Sequence, residues 1–143
     1  MEMNSNLLAD FKKAKIINMI TYAEDGSKRI RVMTNFNEDP YNIMWFATYS
    51  STRKVTDIEK NPRVIISFAS SNEGKFWEIE GIASFEKSDV VSKKWVWWYL
   101  YWHPEAEKNG WGLKGSSSLV DHRRIINVKP YSTKLVEVDS PKY

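Results

Sequence analysis

The sequence contains no cysteine and only two histidines, His103 and His122. Without thiols it cannot form a disulfide, a thiolate metal site or a cysteine nucleophile. Neither histidine has a partner at metal-ligand spacing, so metal catalysis is not expected. Long apolar runs are also missing. The longest, Trp95 to Trp102, spans eight residues, far short of the roughly 20 that cross a bilayer. Met1 to Asp10 lacks the basic-then-apolar layout of a secretory signal, and a cytoplasmic protein is expected. Gly-x-Ser-x-Gly, P-loop and dinucleotide fingerprints are absent. Neither sign of charge dominates: 21 basic and 18 acidic residues are interspersed, for a net +3. Nucleic-acid binding usually needs a concentrated basic face, so neither nucleic acid nor a membrane is an expected partner.

Aromatic residues are plentiful, with seven Trp, seven Tyr and six Phe in 143 residues. A length of 143 residues suits one domain, 1–143, and no linker or internal repeat divides it. Leu7 to Ala14 reads as a helix with Asn6 as N-cap. Ile16 to Ala23 and Lys28 to Thr34 read as strands around the Asp25-Gly26 turn signal. In the second strand Ile30 and Val32 alternate with Arg29, Arg31 and Met33. Ile43 to Thr48 is a third strand, Thr52 to Lys60 a helix with Val55 and Ile58 inward, and Arg63 to Ser70 a fourth strand. Lys75 to Phe85 alternates well, and Gly81 within it signals a bulge or a close backbone approach. Asp89 to Trp102 reads as a helix, Glu105 to Val120 as a loop, and Arg123 to Lys129 with Thr133 to Val138 as a strand pair around Pro130. Some seven short strands and a few helices suggest an antiparallel barrel or an open α+β sheet.

Three features bear on function. Ser51 and Thr52 precede Arg53 and Lys54 at a helix start. Cations oppose the helix dipole there, and an anion such as phosphate would explain them. Arg31 could add a clamp. A solvated helix face is the plainer explanation. Second, Val91, Trp95, Trp98 and Trp102 form one helical stripe, with Trp97 and Tyr101 on another face. So apolar a helix suits a subunit interface or core packing, with ring stacking by one Trp as a third reading. Third, no catalytic side-chain constellation occurs, so any chemistry would rest on a bound cofactor.

The strand pair around Glu24-Asp25-Gly26, Arg-Val-Met-Thr (31–34), Trp-Phe-Ala-Thr (45–48), Ser-Thr-Arg-Lys-Val (51–55), Ile-Glu-Lys-Asn-Pro-Arg-Val (58–64) and a strand with Glu-Gly-x-Ala (80–83) follow in order. This order resembles the pyridoxamine 5′-phosphate oxidase-like, FMN-binding split-barrel family, nearest its short general stress protein branch. The resemblance covers about Ile16 to Phe85. It implies a mainly β fold, a six-stranded antiparallel split β-barrel, forming a homodimer with FMN at the subunit interface. By the same resemblance Arg31 and Lys54, with Arg53 beside them and Ser51 and Thr52 before them, match the phosphate grip. Ala47 and Thr48 match the strand along the flavin. Val32, Met33 and Thr34 match the segment near its ring.

There are departures. Asn35 and Phe36 stand where the oxidases carry a lysine, and Phe76 where they carry a glutamine. Their Arg-Leu-His-x-Arg segment is absent from a chain that stops at Tyr143, so vitamin B6 oxidation is not expected. The resemblance implies an oxidoreductase of unknown substrate, with a reduced nicotinamide as candidate electron donor. A deazaflavin-dependent reductase, a non-catalytic flavin-binding stress protein and an interaction module with an empty site are the alternatives.

Overall fold

The computed structural model describes residues 3–102 and 123–137, with side chains left undescribed from 98 to 102. The chain begins with helix α1 (Ser5–Lys13). Its N-cap is Asn4, not the expected Asn6: the Asn4 side-chain oxygen accepts from the N–H groups of Asn6 and Leu7 at 2.9 and 3.1 Å. Asn4 holds the extended backbone a cap needs, and Asn6 lies one residue inside the helix. Leu7 and Phe11, one turn apart, are fully buried.

Strands β1 (Ile16–Tyr22) and β2 (Lys28–Thr34) form a hairpin, with Gly26 at φ 87° in its turn. Strand β3 (Met44–Tyr49), helix α2 (Arg53–Lys60), strand β4 (Arg63–Ala69), strand β5 (Lys75–Phe85), helix α3 (Ser88–Trp102) and strand β6 (Arg123–Glu137) follow. The six strands make one antiparallel sheet in the order β2-β1-β4-β5-β6-β3. The sheet curls into a split barrel with β2 and β3 as its two edges. Met19, Met44, Phe46, Ile66, Ile79, Ile126 and Val128 fill the interior with Leu7 and Phe11.

The C-terminal strands differ from expectation. A single 15-residue strand, β6, runs straight through Pro130 instead of breaking into a pair there. Pro130 lies opposite Gly81, where the β5–β6 register slips. The slip leaves Tyr131 outside the ladder, and the disrupted pairing beside it tolerates Pro130, which has no N–H. Gly81 is needed at this point. A Cβ there would stand 2.5 Å from Val128 Cγ1 and 3.0 Å from the Lys129 carbonyl oxygen.

Two apolar patterns point in different directions. On β2, Met33 is buried, but Ile30 and Val32 are 63% and 70% exposed. Ile30 pairs with Ile20 and Val32 with Asn18, so these side chains share the outer face of the sheet. On α3, Val91 and Trp95 are buried against Ile125 beside Trp45 and Ala47. Trp97 is half-exposed, with its ring 5.6 Å from those of Phe36 and Trp45. That part of the tryptophan helix is packed within its own domain. The side chains of Trp98, Tyr101 and Trp102, the expected loop Glu105 to Val120 and both histidines lie outside the described residues. No helix among the described residues is long and apolar enough to cross a membrane.

Candidate functional site

The barrel fails to close between its two edge strands, and a cleft of about 250 Å³ opens along that seam. Val32, Met33 and Thr34 of β2 form one wall. Ala47, Thr48 and Tyr49 of β3 form the other. Thr52 and Lys54 close one part of the cleft and Trp95 of α3 lines another. Seven of the residues expected at a cofactor site from sequence therefore meet in one place: Val32, Met33, Thr34, Ala47, Thr48, Thr52 and Lys54. Ser51 and Arg53 are exposed and do not line the cleft. Arg31 does not line it either, but its charge is felt by Lys54.

The start of α2 carries positive character that nothing among the described residues offsets. Thr52 is the N-cap, yet its side chain makes no cap bond. Its hydroxyl is donated instead to the Tyr49 carbonyl at 2.9 Å. The first turn holds no acidic residue. The free N–H groups of that turn thus keep their unsatisfied positive character. Lys54 is half-buried in the same turn. Burial, and then the positive charge of Arg31, hold its pKa below a lysine's ordinary 10.5. Among the described residues neither Arg31 nor Lys54 forms a salt bridge. Two mutually repelling cations without a carboxylate, beside an uncapped helix start, are a donor set that fits a phosphate.

The cleft also has an aromatic lining. The rings of Tyr49 and Trp95 lie 5.1 Å apart. Tyr49 is not expected at the site from sequence, and Trp95 only as one of several aromatics that could stack on a ring. Tyr49 follows directly on Ala47-Thr48, and its position at the strand end was the available signal. Trp95 belonged to the helical tryptophan stripe, whose spacing does not distinguish core packing from a ligand wall.

A larger concavity, about 550 Å³, lies on the outer sheet face among Asn18, Ile20, Ile30, Phe68 and Phe76. It has no helix start and no paired hydroxyls, so the smaller seam cleft is the better candidate for a charged cofactor. Among the described residues no cluster of His, Asp and Glu is arranged to hold a metal ion.

Comparison with known proteins agrees with this architecture. The family model described as pyridoxamine 5′-phosphate oxidase like matches residues 3–110. A Clostridium acetobutylicum protein related to general stress protein 26 superposes with a TM-score of 0.65 at 19% identity, covering 93% of this chain and 85% of that one. An F420 reductase gives a TM-score of 0.64 at 17% identity, covering 93% and 98%. A pyridoxamine 5′-phosphate oxidase-related, FMN-binding protein from Nostoc punctiforme gives 0.62 at 12% identity, covering 91% and 79%. Among curated proteins none matches the sequence.

Proposed function

Because the chain belongs to the pyridoxamine 5′-phosphate oxidase-like family, we infer that it is an FMN-binding flavoprotein acting as an oxidoreductase. One observation carries the reading: Lys54 stands at the uncapped start of α2 inside the seam cleft, with the charge of Arg31 felt beside it and, among the described residues, no salt bridge to either. Lys54 and the first-turn N–H groups would hold the phosphate, with Arg31 adding charge. The backbone of Val32 to Thr34 and of Ala47 to Tyr49 would flank the ring. Bound FMN would supply hydride and electron transfer, with a reduced nicotinamide as the donor. The chain's own part is to bind, orient and shield. That suits a site whose lining holds no histidine or carboxylate among the described residues.

The working unit is a homodimer. Ile30 and Val32 are apolar and exposed, and Val32 also lines the cleft. Pockets for drug-sized ligands run to about 300–1,000 Å³. At about 250 Å³ the cleft would leave part of an FMN projecting over this face. A second copy seated there would cover both the apolar strand and the ring.

A deazaflavin in place of FMN is the second reading, supported by the likeness to the F420 reductase. The absorbance spectrum of the protein after separate addition of FMN and deazaflavin decides between them. Retention of FMN through gel filtration, followed by bleaching on anaerobic addition of NADH or NADPH, is the expected result. Retention without bleaching by either donor would make this a flavin carrier, as in the non-catalytic stress-protein alternative. Retention of neither cofactor would overturn the reading.

A further inference from the structure

Arg123 opens β6 and is 4% exposed. Its Nε and Nη1 are buried and have no hydrogen-bond partner among the described residues. No carboxylate among the described residues forms a salt bridge with it. Burying an unpaired guanidinium is costly, and protein interiors rarely keep one. The Trp95 ring, 5.2 Å from its Cζ, offsets part of that cost but supplies no acceptor.

Its place in the fold gives the cation a use. Arg123 is the register partner of Tyr49. Residues directly opposite in an antiparallel pair lie on the same face, so Arg123 shares a face with Tyr49. Tyr49 and Trp95 are the aromatic lining of the seam cleft; Arg123, which does not itself line the cleft, is the register partner of the first and lies 5.2 Å from the ring of the second. The next residue, Arg124, faces the other way, with its guanidinium 4.6 Å from the Phe85 ring. Among the described residues Arg123 is therefore the one guanidinium set against the Trp95 ring. The phosphate site at Lys54 combines two cations with a helix start.

We propose that Arg123 is the recognition residue for the carboxylate of a planar, aromatic substrate that packs on Tyr49 and Trp95. The proposal rests on the seam cleft being the cofactor site, which places this substrate beside the flavin. A lone guanidinium matches a planar monoanion, whereas a phosphate dianion calls for several donors. Two aromatic rings beside it favour a flat, apolar body behind that charge. An unpaired buried charge lowers stability, and proteins retain such costs mainly at functional sites.

The test is calorimetric titration of benzoate, benzamide and inorganic phosphate into the full-length protein, with and without FMN. Wild type should bind benzoate at least tenfold more tightly than benzamide. Arg123→Met should lose that preference, with FMN affinity unchanged. The melting temperature of ligand-free Arg123→Met should equal or exceed that of wild type, because an unpaired buried charge is gone. If Arg123→Met does not fold, Arg123→Lys keeps the charge, shortens its reach and should still weaken benzoate severalfold. Benzoate binding that is equal in wild type and variant, or absent from wild type, overturns the proposal. So does phosphate binding in preference to benzoate. A protein that binds benzoate through Arg123 but never retains FMN would refute the flavin reading and leave the carboxylate site standing.

Discussion

Thr21 on β1 donates a hydrogen bond of 2.9 Å to the Asp57 carboxylate on α2, a buried contact across 36 residues of sequence. Arg29 on β2 reaches the same carboxylate oxygen at 3.6 Å. Lys54 lies one turn before Asp57 on the helix. The contact thus fixes the angle at which the start of α2 meets the seam. Asp57→Ala should cost about 1–3 kcal/mol, the loss expected when a buried donor is left unpaired. Urea unfolding would show it as a lower midpoint with unchanged slope. A loss under about 0.5 kcal/mol, typical of surface changes, would mean that other contacts hold the helix.

Gly81→Ala should destabilise by about 1–3 kcal/mol, the usual range for overpacking. Its new methyl would meet both Val128 and the rigid Lys129 backbone. Gly74→Ala is the comparison. Nothing lies within 4 Å there, but φ is +77°, so the cost is backbone strain alone. Thermal unfolding of both variants checks the order, with Gly81→Ala melting lower. An unchanged melting temperature for Gly81→Ala would remove the bulge from the account of β6.

Much of this architecture was legible beforehand. Asp25-Gly26 fixed a hairpin because few residue pairs accept that turn, and Gly81 marked the register slip because only glycine fits against β6. Pro130 misled. A proline usually breaks a strand, and only the pairing across the sheet reveals that this one sits at a bulge. The seven cleft residues were found through ordered motifs. Tyr49 extends the Ala47-Thr48 motif by one residue, whereas Trp95 and Arg123 lie on α3 and β6, which approach β3 only in the folded sheet. Charge and aromaticity alone do not say which distant element will meet which.

Ile30→Glu should shift the protein from dimer to monomer without unfolding it. The side chain is 63% exposed in a single copy, so the charge costs little there and much inside an apolar interface. Sedimentation of wild type at micromolar concentration should show the dimer, and Ile30→Glu the monomer. A wild type that sediments as a monomer would remove the dimer from the account.

Asp10 couples acid sensitivity to the packing of α1. Its carboxylate accepts from Trp77 Nε1 at 2.9 Å and from the Ser71 N–H at 3.0 Å. Burial pushes its pKa up, but those bonds, with Lys13 nearby, outweigh burial and leave the pKa below 3.8. The folded value is the depressed one, so this stabilisation is present above pH 3.8 and is lost as the pH falls through the folded pKa. Asp10→Asn should flatten that part of the stability–pH curve. An Asp10→Asn curve parallel to wild type below pH 4 would assign the acid loss elsewhere.

Lys54 should make flavin binding pH-dependent in the alkaline range. Its depressed folded pKa means that the cofactor-free protein gains stability as the pH rises from that value toward 10.5. A phosphate favours the charged amine, so FMN affinity should fall across the same window. Riboflavin, which lacks the phosphate, should show no such fall in a fluorescence titration. Parallel pH profiles for the two ligands would place the titrating group away from the phosphate.

The most direct measurement titrates FMN and riboflavin into wild type and Lys54→Ala, following flavin fluorescence at neutral pH. Losing one charge-assisted contact costs roughly 1.5–3 kcal/mol, or about ten- to a hundredfold in affinity. Lys54→Ala should therefore weaken FMN by that factor, leave riboflavin nearly unchanged, and fold as well as wild type. Equal losses for both ligands would contradict the phosphate role of Lys54. Wild type that binds neither ligand would contradict the flavoprotein account itself.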